Sequence, residues 1–249
     1  MKKLKNKNHF ILTHFNDYLD YIEKLINQND SNNKLIILYR GQCDDWELLP
    51  SVARINPHLD STVIETNMLN ELRRRRPGVN LNHNLIDDWD WLVYAQHYGL
   101  KTRLLDWTSN PLAALWFGLA ENTLAKAKSY VYIFANAEDF ILDKASDPSP
   151  FKILKTRILK PSMNNERIVA QSGWFTAHKF STTSNKFVAI EEHRELKKNI
   201  SIIEIPVKLR KDIIRKLDMM GVNFQSLFPD ITGVCKQINW EFEKQFNIH

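Results

Sequence analysis

Apolar residues recur at helical spacing near the start of the chain, where Phe15, Tyr18, Leu19, Ile22, Leu25 and Ile26 would share one face. Thr13 stands where a cap is needed and the polar cluster 27–33 ends the run, which predicts an N-terminal helix over about 13–29. Residues 34–39 then form a short apolar run bounded by Asn33 and Gly41, read as a buried strand with Arg40 at its end. A turn is expected at 46–50, and a helix over 61–76 that stops before Pro77 and Gly78. The next helix starts at Asp87 or Asp88, either of which can cap it, and closes on Gly99 as its left-handed last residue. A strand over 103–106 follows, and Asn110 with Pro111 marks a further helix that carries Leu112, Ala113, Leu115, Trp116 and Leu119 inward. Further strands are expected at 129–135, 152–159, 168–171, 187–190 and 200–207, and late helices at 209–220 and 231–246. Helices and strands are interspersed without a repeat or a flexible linker, so the pattern predicts one α+β domain over 1–249 with a mixed or antiparallel sheet flanked by helices. The stretch 143–150 is the most loop-like.

Composition changes this picture little. With 249 residues and 43% hydrophobic content the chain can bury a sizeable core. It has no apolar run long enough to span a bilayer and no apolar segment after the basic start, which points to a cytoplasmic protein with no membrane partner. Cys43 and Cys235 are too few and too distant for a disulfide framework or a zinc site. The net charge of +5 is mildly attractive to phosphates, but much of it sits in Lys2, Lys3, Lys5, Lys7 and in Arg73 to Arg76, where a solvated tail and a helix end account for it.

Candidate chemistry is concentrated in two places. Seven glycines cannot assemble a Gly-rich phosphate loop, and hydrolase and zinc-protease signatures are missing. What stands out is Arg40 together with residues 95–117, where Gln96, His97 and Tyr98 end a helix, Thr102 and Arg103 enter a strand, and Asp106 to Ser109 leave it. The start of the Pro111 helix would offer backbone N–H groups to an anion. Each group has a plainer reading: Arg40 could pair with Asp44, Asp45 or Asp106, Asp106 could cap a turn, and His97 could be a satisfied helix-end residue. Trp89, Trp91 and Trp116 read as core, and Gly41, Gly99 and Gly173 as sites of turns or close backbone approach.

These segments resemble the FRG domain family, named for a Phe/Tyr-Arg-Gly motif. The resemblance rests on Tyr39-Arg40-Gly41-Gln42, on 46–51 with Arg54, on 95–117, and downstream on 167–176 and 226–233, so it covers about 35–233 with the two terminal helices packed on it. A second resemblance is to NAD-dependent ADP-ribosyltransferases, in a strand carrying Tyr-Arg-Gly, a strand leaving into Thr108-Ser109, and a helix of the form Pro-x-Ala-Ala-x-x-Phe. That similarity implies a split sheet, NAD as cofactor, and transfer of ADP-ribose to a protein or nucleic acid, or hydrolysis of NAD, by a toxin or antiviral defence effector. Arg40 would grip the pyrophosphate, with Tyr39, Gly41, Gln42, Thr102, Arg103 and Asp106 around it. Thr108 and Ser109 would brace the site, and Tyr98, Trp107 or Phe175 would stack on nicotinamide. The glutamate that such enzymes carry on a later strand has no counterpart in a Glu-x-Glu pair here, which leaves Glu166, Gln171, Arg167 and His97 as candidates for the third catalytic group. A rival reading is a non-catalytic module holding a nucleotide or nucleic acid through Arg40, Arg103 and Arg167.

Overall fold

Side-chain alternation along one central strand organises the molecule. The structure, a computed structural model, describes residues 1–3, 8–31, 36–76, 85–120, 128–135, 137–162 and 165–246. Strand β3 (Leu38–Gln42) turns Tyr39 toward a core of Leu12, Phe15, Tyr18, Ala113, Leu115 and Ile203, and Leu38 toward an opposite core with Leu105, Trp107, Tyr132 and Phe134. Around it lie β1 (Lys2–Lys3), β2 (His9–Ile11), β4 (Leu104–Thr108), β5 (Ser129–Phe134), β6 (Arg157–Leu159), β7 (Gly173–Ala177) and β10 (Ile200–Ile205). These form one eight-stranded sheet in the order β1-β2-β10-β5-β3-β4-β7-β6, antiparallel throughout except between β2 and β10. A small hairpin, β8 (Phe180–Ser181) with β9 (Lys186–Phe187), stands apart.

The sheet is nearly divided at its centre. Strands β3 and β5 pair from Leu38 to Gln42, and β4 and β7 pair from Leu104 to Thr108, yet β3 meets β4 only at Tyr39 opposite Thr108. One half is covered by α1 (Phe15–Ser31), α4 (Pro111–Ala120) and α6 (Val207–Met219). The other half is covered by α3 (Asp88–His97), whose Trp89 and Leu92 pack on Leu104, Phe175 and Ala177. Among the described residues the other α-helices are α2 (Thr62–Arg75), α5 (Glu166–Ala170), α7 (Phe224–Leu227) and α8 (Ile231–Phe246). No helix among the described residues is long and apolar enough to cross a membrane.

Local signals account for most boundaries. Asp87 accepts from the Asp90 N–H while Asp90 returns the bond to the Asp87 N–H, a capping box, and beyond the C-cap Tyr98 the chain leaves α3 through Gly99 with φ of 86°. Asn110 caps α4 by accepting from the N–H groups of Leu112 and Ala113. The α+β class, the interspersed order and helix 231–246 agree with the sequence pattern.

Several expectations are corrected. The strand expected over 34–39 is β3 at 38–42, so Arg40 sits in its middle, because the chain stays paired to β5 through Gly41; Lys34 and Leu35 lie outside the described residues, as do Pro77 and Gly78. Residues 168–171 form α5 and its cap instead of a strand: Asn165 accepts from Arg167 N–H and starts a helical turn, and the strand comes later, from Gly173. In 152–159 only Arg157–Leu159 pairs, and in 187–190 only Phe187 lies in a strand, because neighbouring strands are too short to extend either ladder. The first helix begins at Phe15, its start bound by Asp17, which accepts from the Thr13 hydroxyl and the His14 N–H.

One buried group sets a pH dependence. His178, wholly buried beside β7, is pulled down from 6.5 to about 3 by loss of hydration first, and then by His193, Arg40 and Arg103. Between those two values the unfolded chain holds a proton that the folded chain refuses, so stability falls as pH drops from about 6.5 toward 3. Thermal unfolding from pH 7 to pH 4 is expected to show this slope, and His178→Gln to flatten it. An unchanged slope in the variant would assign the acid sensitivity elsewhere.

Candidate functional site

Parting strands leave backbone groups unpaired, and here a side chain takes one up. The Arg40 guanidinium crosses the gap between β3 and β4, donating from Nη1 to the main-chain oxygen of Asp106 at 2.7 Å. Its Nε donates to Gln42 Oε1 at 3.0 Å, and the Gln42 amide donates in turn to the Trp46 carbonyl at 2.7 Å. Both bonds aim the planar fork, and among the described residues Nη2 makes none. Desolvation lowers the guanidinium to about 10, opposed by Asp106 and reinforced by Arg54, so it stays cationic at neutral pH.

The gap opens into a cleft of about 430 Å³, within the size range of small-molecule sites. Of the residues singled out in the sequence, Tyr39, Arg40, Gly41, Gln42, His97, Asp106, Trp107, Thr108, Arg167, Gln171 and Phe175 line it. The cleft thus joins residues from β3, the end of α3, β4, α5 and β7. Its other walls include Trp46, Arg54, Gln96, Phe117, Trp174 and Phe228. Trp46 and Arg54 fall in the motif segments, and Gln96 in the dense stretch. Phe228, which arrives from after α7, falls in the downstream motif segment 226–233, and Trp174 in 167–176.

Other candidates lie elsewhere. Arg103 is 2% exposed and bound to Glu65 by Nη2 at 2.9 Å, with Nη1 on the Pro150 carbonyl and Nη2 also on Thr62. It ties α2 to the sheet and does not line the cleft. Thr102 is buried and bonded to Gln96. Tyr98 is 63% exposed and packs on the Tyr94 ring at 4.7 Å. Glu166 faces solvent in the first turn of α5, and Ser109 is exposed, its N–H given to the Ser172 carbonyl at 3.0 Å.

Three lining groups are already engaged. Arg167 donates to Asp230 through Nε at 2.8 Å and through Nη2, lies over the Phe228 ring, and holds the Asp230 carboxyl below the usual carboxylate range. Thr108 donates to the Gln171 carbonyl at 2.5 Å and accepts from the Asn110 N–H at 2.9 Å, fastening β4 to the end of α5. Gln171 donates from Nε2 to the Leu227 carbonyl at 3.0 Å, which leaves its amide oxygen for a ligand. Beyond Gln171, Ser172 holds φ of 48°, a left-handed conformation at the helix end that a serine adopts with some strain.

The start of α4 does not offer the anion site that its sequence suggested. Asn110 consumes the Leu112 and Ala113 N–H groups, Pro111 has none, and the Ser109 and Asn110 N–H groups are bonded to Ser172 and Thr108. Anion affinity in the cleft therefore rests on Arg40 and the exposed Arg54, whose Nε reaches the Leu49 carbonyl at 3.3 Å. Asp106 is the carboxylate among the lining residues.

Compared with known families, residues 36–127 match the model of the FRG domain. The matched segment carries Arg40, α3, β4 and α4, whereas the walls contributed by α5, β7 and Phe228 come from beyond it. No curated protein and no solved structure matches the chain.

Proposed function

We propose, for a chain whose residues 36–127 match the FRG domain model, that the cleft binds NAD, with the pyrophosphate on Arg40. It then releases nicotinamide and passes ADP-ribose to a protein, nucleic acid or water. One observation carries the reading: Arg40, Thr108 and the Gln171 amide, drawn from three separate elements, meet in one cleft at the parting of the sheet. The unbonded Nη2 of Arg40 gives a phosphate oxygen a charged donor, and a planar fork holds such oxygens in fixed geometry. Phe175, Trp46 and Phe117 supply ring surface for the bases. An NAD-consuming cleft would suit a toxin or antiviral effector.

A second reading is supported by the same cleft. Arg167 is held by Asp230, Thr108 is spent on the fold, and Glu166 faces away, which suits a module that holds a nucleotide or nucleic acid without reacting with it. Nicotinamide release separates the two, as does salt, since a phosphate-tracking module weakens steeply with ionic strength.

Arg40→Ala is expected to weaken ADP-ribose binding by about 10- to 100-fold, the loss of hydrogen bonds to a charged group. Arg40→Lys should recover only part, because the charge returns without the fork. Calorimetric titration together with nicotinamide release tests this. Wild-type protein that neither binds ADP-ribose nor releases nicotinamide overturns the NAD reading.

A further inference from the structure

A carboxylate weakens an anion site, so its presence beside Arg40 needs a reason. Arg40 supplies only part of one: Oδ2 lies 3.8 Å from its Nη1, close enough to steady the desolvated guanidinium but outside hydrogen-bond range, and Nη1 itself is bonded to the Asp106 backbone. Asp106 is instead held from the other side. Gln96 Nε2 donates to Oδ1 at 3.0 Å and to the Leu104 carbonyl at 3.3 Å. Among the described residues Oδ2 accepts nothing, and the side chain is 58% exposed on the cleft.

The direction of the Gln96 amide is dictated by its neighbours. The Leu104 carbonyl and the Asp106 carboxylate can only accept, so Nε2 faces them, and the buried Thr102 hydroxyl, which accepts from the Leu104 N–H at 3.1 Å, gives its proton to Oε1. A flipped amide would set oxygen against oxygen at both the Leu104 carbonyl and Asp106. A hydroxyl, an amide and one residue's backbone thus orient a carboxylate that no protein cation neutralises at hydrogen-bond distance.

We infer that Asp106 is a catalytic residue that holds and deprotonates the accepting hydroxyl, with Gln96 and Thr102 as positioning residues. The inference rests on the proposed NAD reading. In that reaction the bond between the ribose carbon and the nicotinamide nitrogen breaks, and its electron pair leaves on the ring nitrogen. The ribose carbon bonds to the oxygen of water or of an acceptor hydroxyl, and Oδ2 takes the proton that this oxygen loses. The cleft is then bipolar: Arg40 and Arg54 face the pyrophosphate, and Asp106 faces the end of the ligand that is cationic before reaction.

Asp106→Asn, which keeps shape and removes the base, is expected to lower kcat for nicotinamide release about 100-fold while ADP-ribose binding is retained. Thr102→Val, which removes the hydroxyl that braces the amide oxygen, should lower kcat about tenfold with KM for NAD unchanged, and Thr102→Ser should restore it. Asp106→Asn turning over at the wild-type rate overturns this inference and leaves the NAD reading standing. Wild-type protein that binds ADP-ribose and releases no nicotinamide overturns both.

Discussion

Gly41→Ala is expected to cost about 3 kcal/mol or more of folding stability, at or beyond the upper end of ordinary overpacking. The same change should remove ligand binding from whatever fraction still folds. A Cβ on Gly41 would sit 1.9 Å from the Ala114 carbonyl oxygen and 2.4 Å from the Gly118 nitrogen, so the collision is with the backbone of α4 and not with a side chain that could rotate away. Relief requires α4 to lift from β3. That movement would open the core around Ala113, Ala114, Leu115 and Val131, and it would displace Arg40, the residue next in the strand. Urea unfolding followed by tryptophan fluorescence measures the loss. An unchanged midpoint would mean that helix and strand do not approach so closely. Gly118→Ala, whose Cβ would meet the Tyr130 carbonyl at 3.2 Å, should be milder.

Arg103→Met is expected to destabilise by about 3–5 kcal/mol, because it strands a buried carboxylate without its counter-charge. Glu65 and Arg103 are almost wholly inaccessible, at 1% and 2% of side-chain surface, and Glu65 also accepts from the Arg103 N–H at 2.8 Å and the Ser61 hydroxyl at 2.7 Å. Replacing both charges, as Glu65→Leu with Arg103→Met, should recover part of the loss, since hydrophobic packing can substitute for a buried pair more readily than either lone charge can be tolerated. Thermal unfolding of the two single variants and the double variant gives the coupling. Binding of ADP-ribose by folded Arg103→Met separates this structural role from a ligand contact: retained affinity is the expected result.

The contrast between Arg40 and Arg103 shows what a linear pattern can and cannot convey. Both stand in or beside a strand within a segment dense in polar residues, and both read as anion contacts. Whether a guanidinium meets a ligand or a carboxylate depends on what another part of the chain places opposite it. For Arg103 that is Glu65, which lies 38 residues earlier on α2. For Arg40 it is the backbone oxygen of Asp106, 66 residues later, exposed because two strands diverge. Neither partner has a local signature. Arg167 repeats the lesson, its charge answered by Asp230 beyond α7.

Short-range chemistry, by contrast, is legible in the sequence. Asp87 and Asn110 cap their helices because a short side-chain acceptor next to an apolar run has few other uses, and Gly99 takes the left-handed position because it lacks a Cβ. The misreading of 168–171 has a physical cause as well: a short apolar run has no periodicity that separates strand from helix, and Asn165 decided for a helical turn.

The sequence alone determined the α+β class, the order of most elements, the caps at Asp87 and Asn110, and the neighbourhood of Arg40 and 95–117 as the region of interest, since each of these depends on residues close together in the chain. Only the tertiary structure decided that β3 and β4 part after a single pair and that Arg40 bridges the opening. It also decided that the start of α4 is closed by its own cap, and that Asp106 faces the cleft with one oxygen unbonded among the described residues. Those outcomes depend on strand order and on partners tens of residues apart, and such distances leave no trace in spacing or composition.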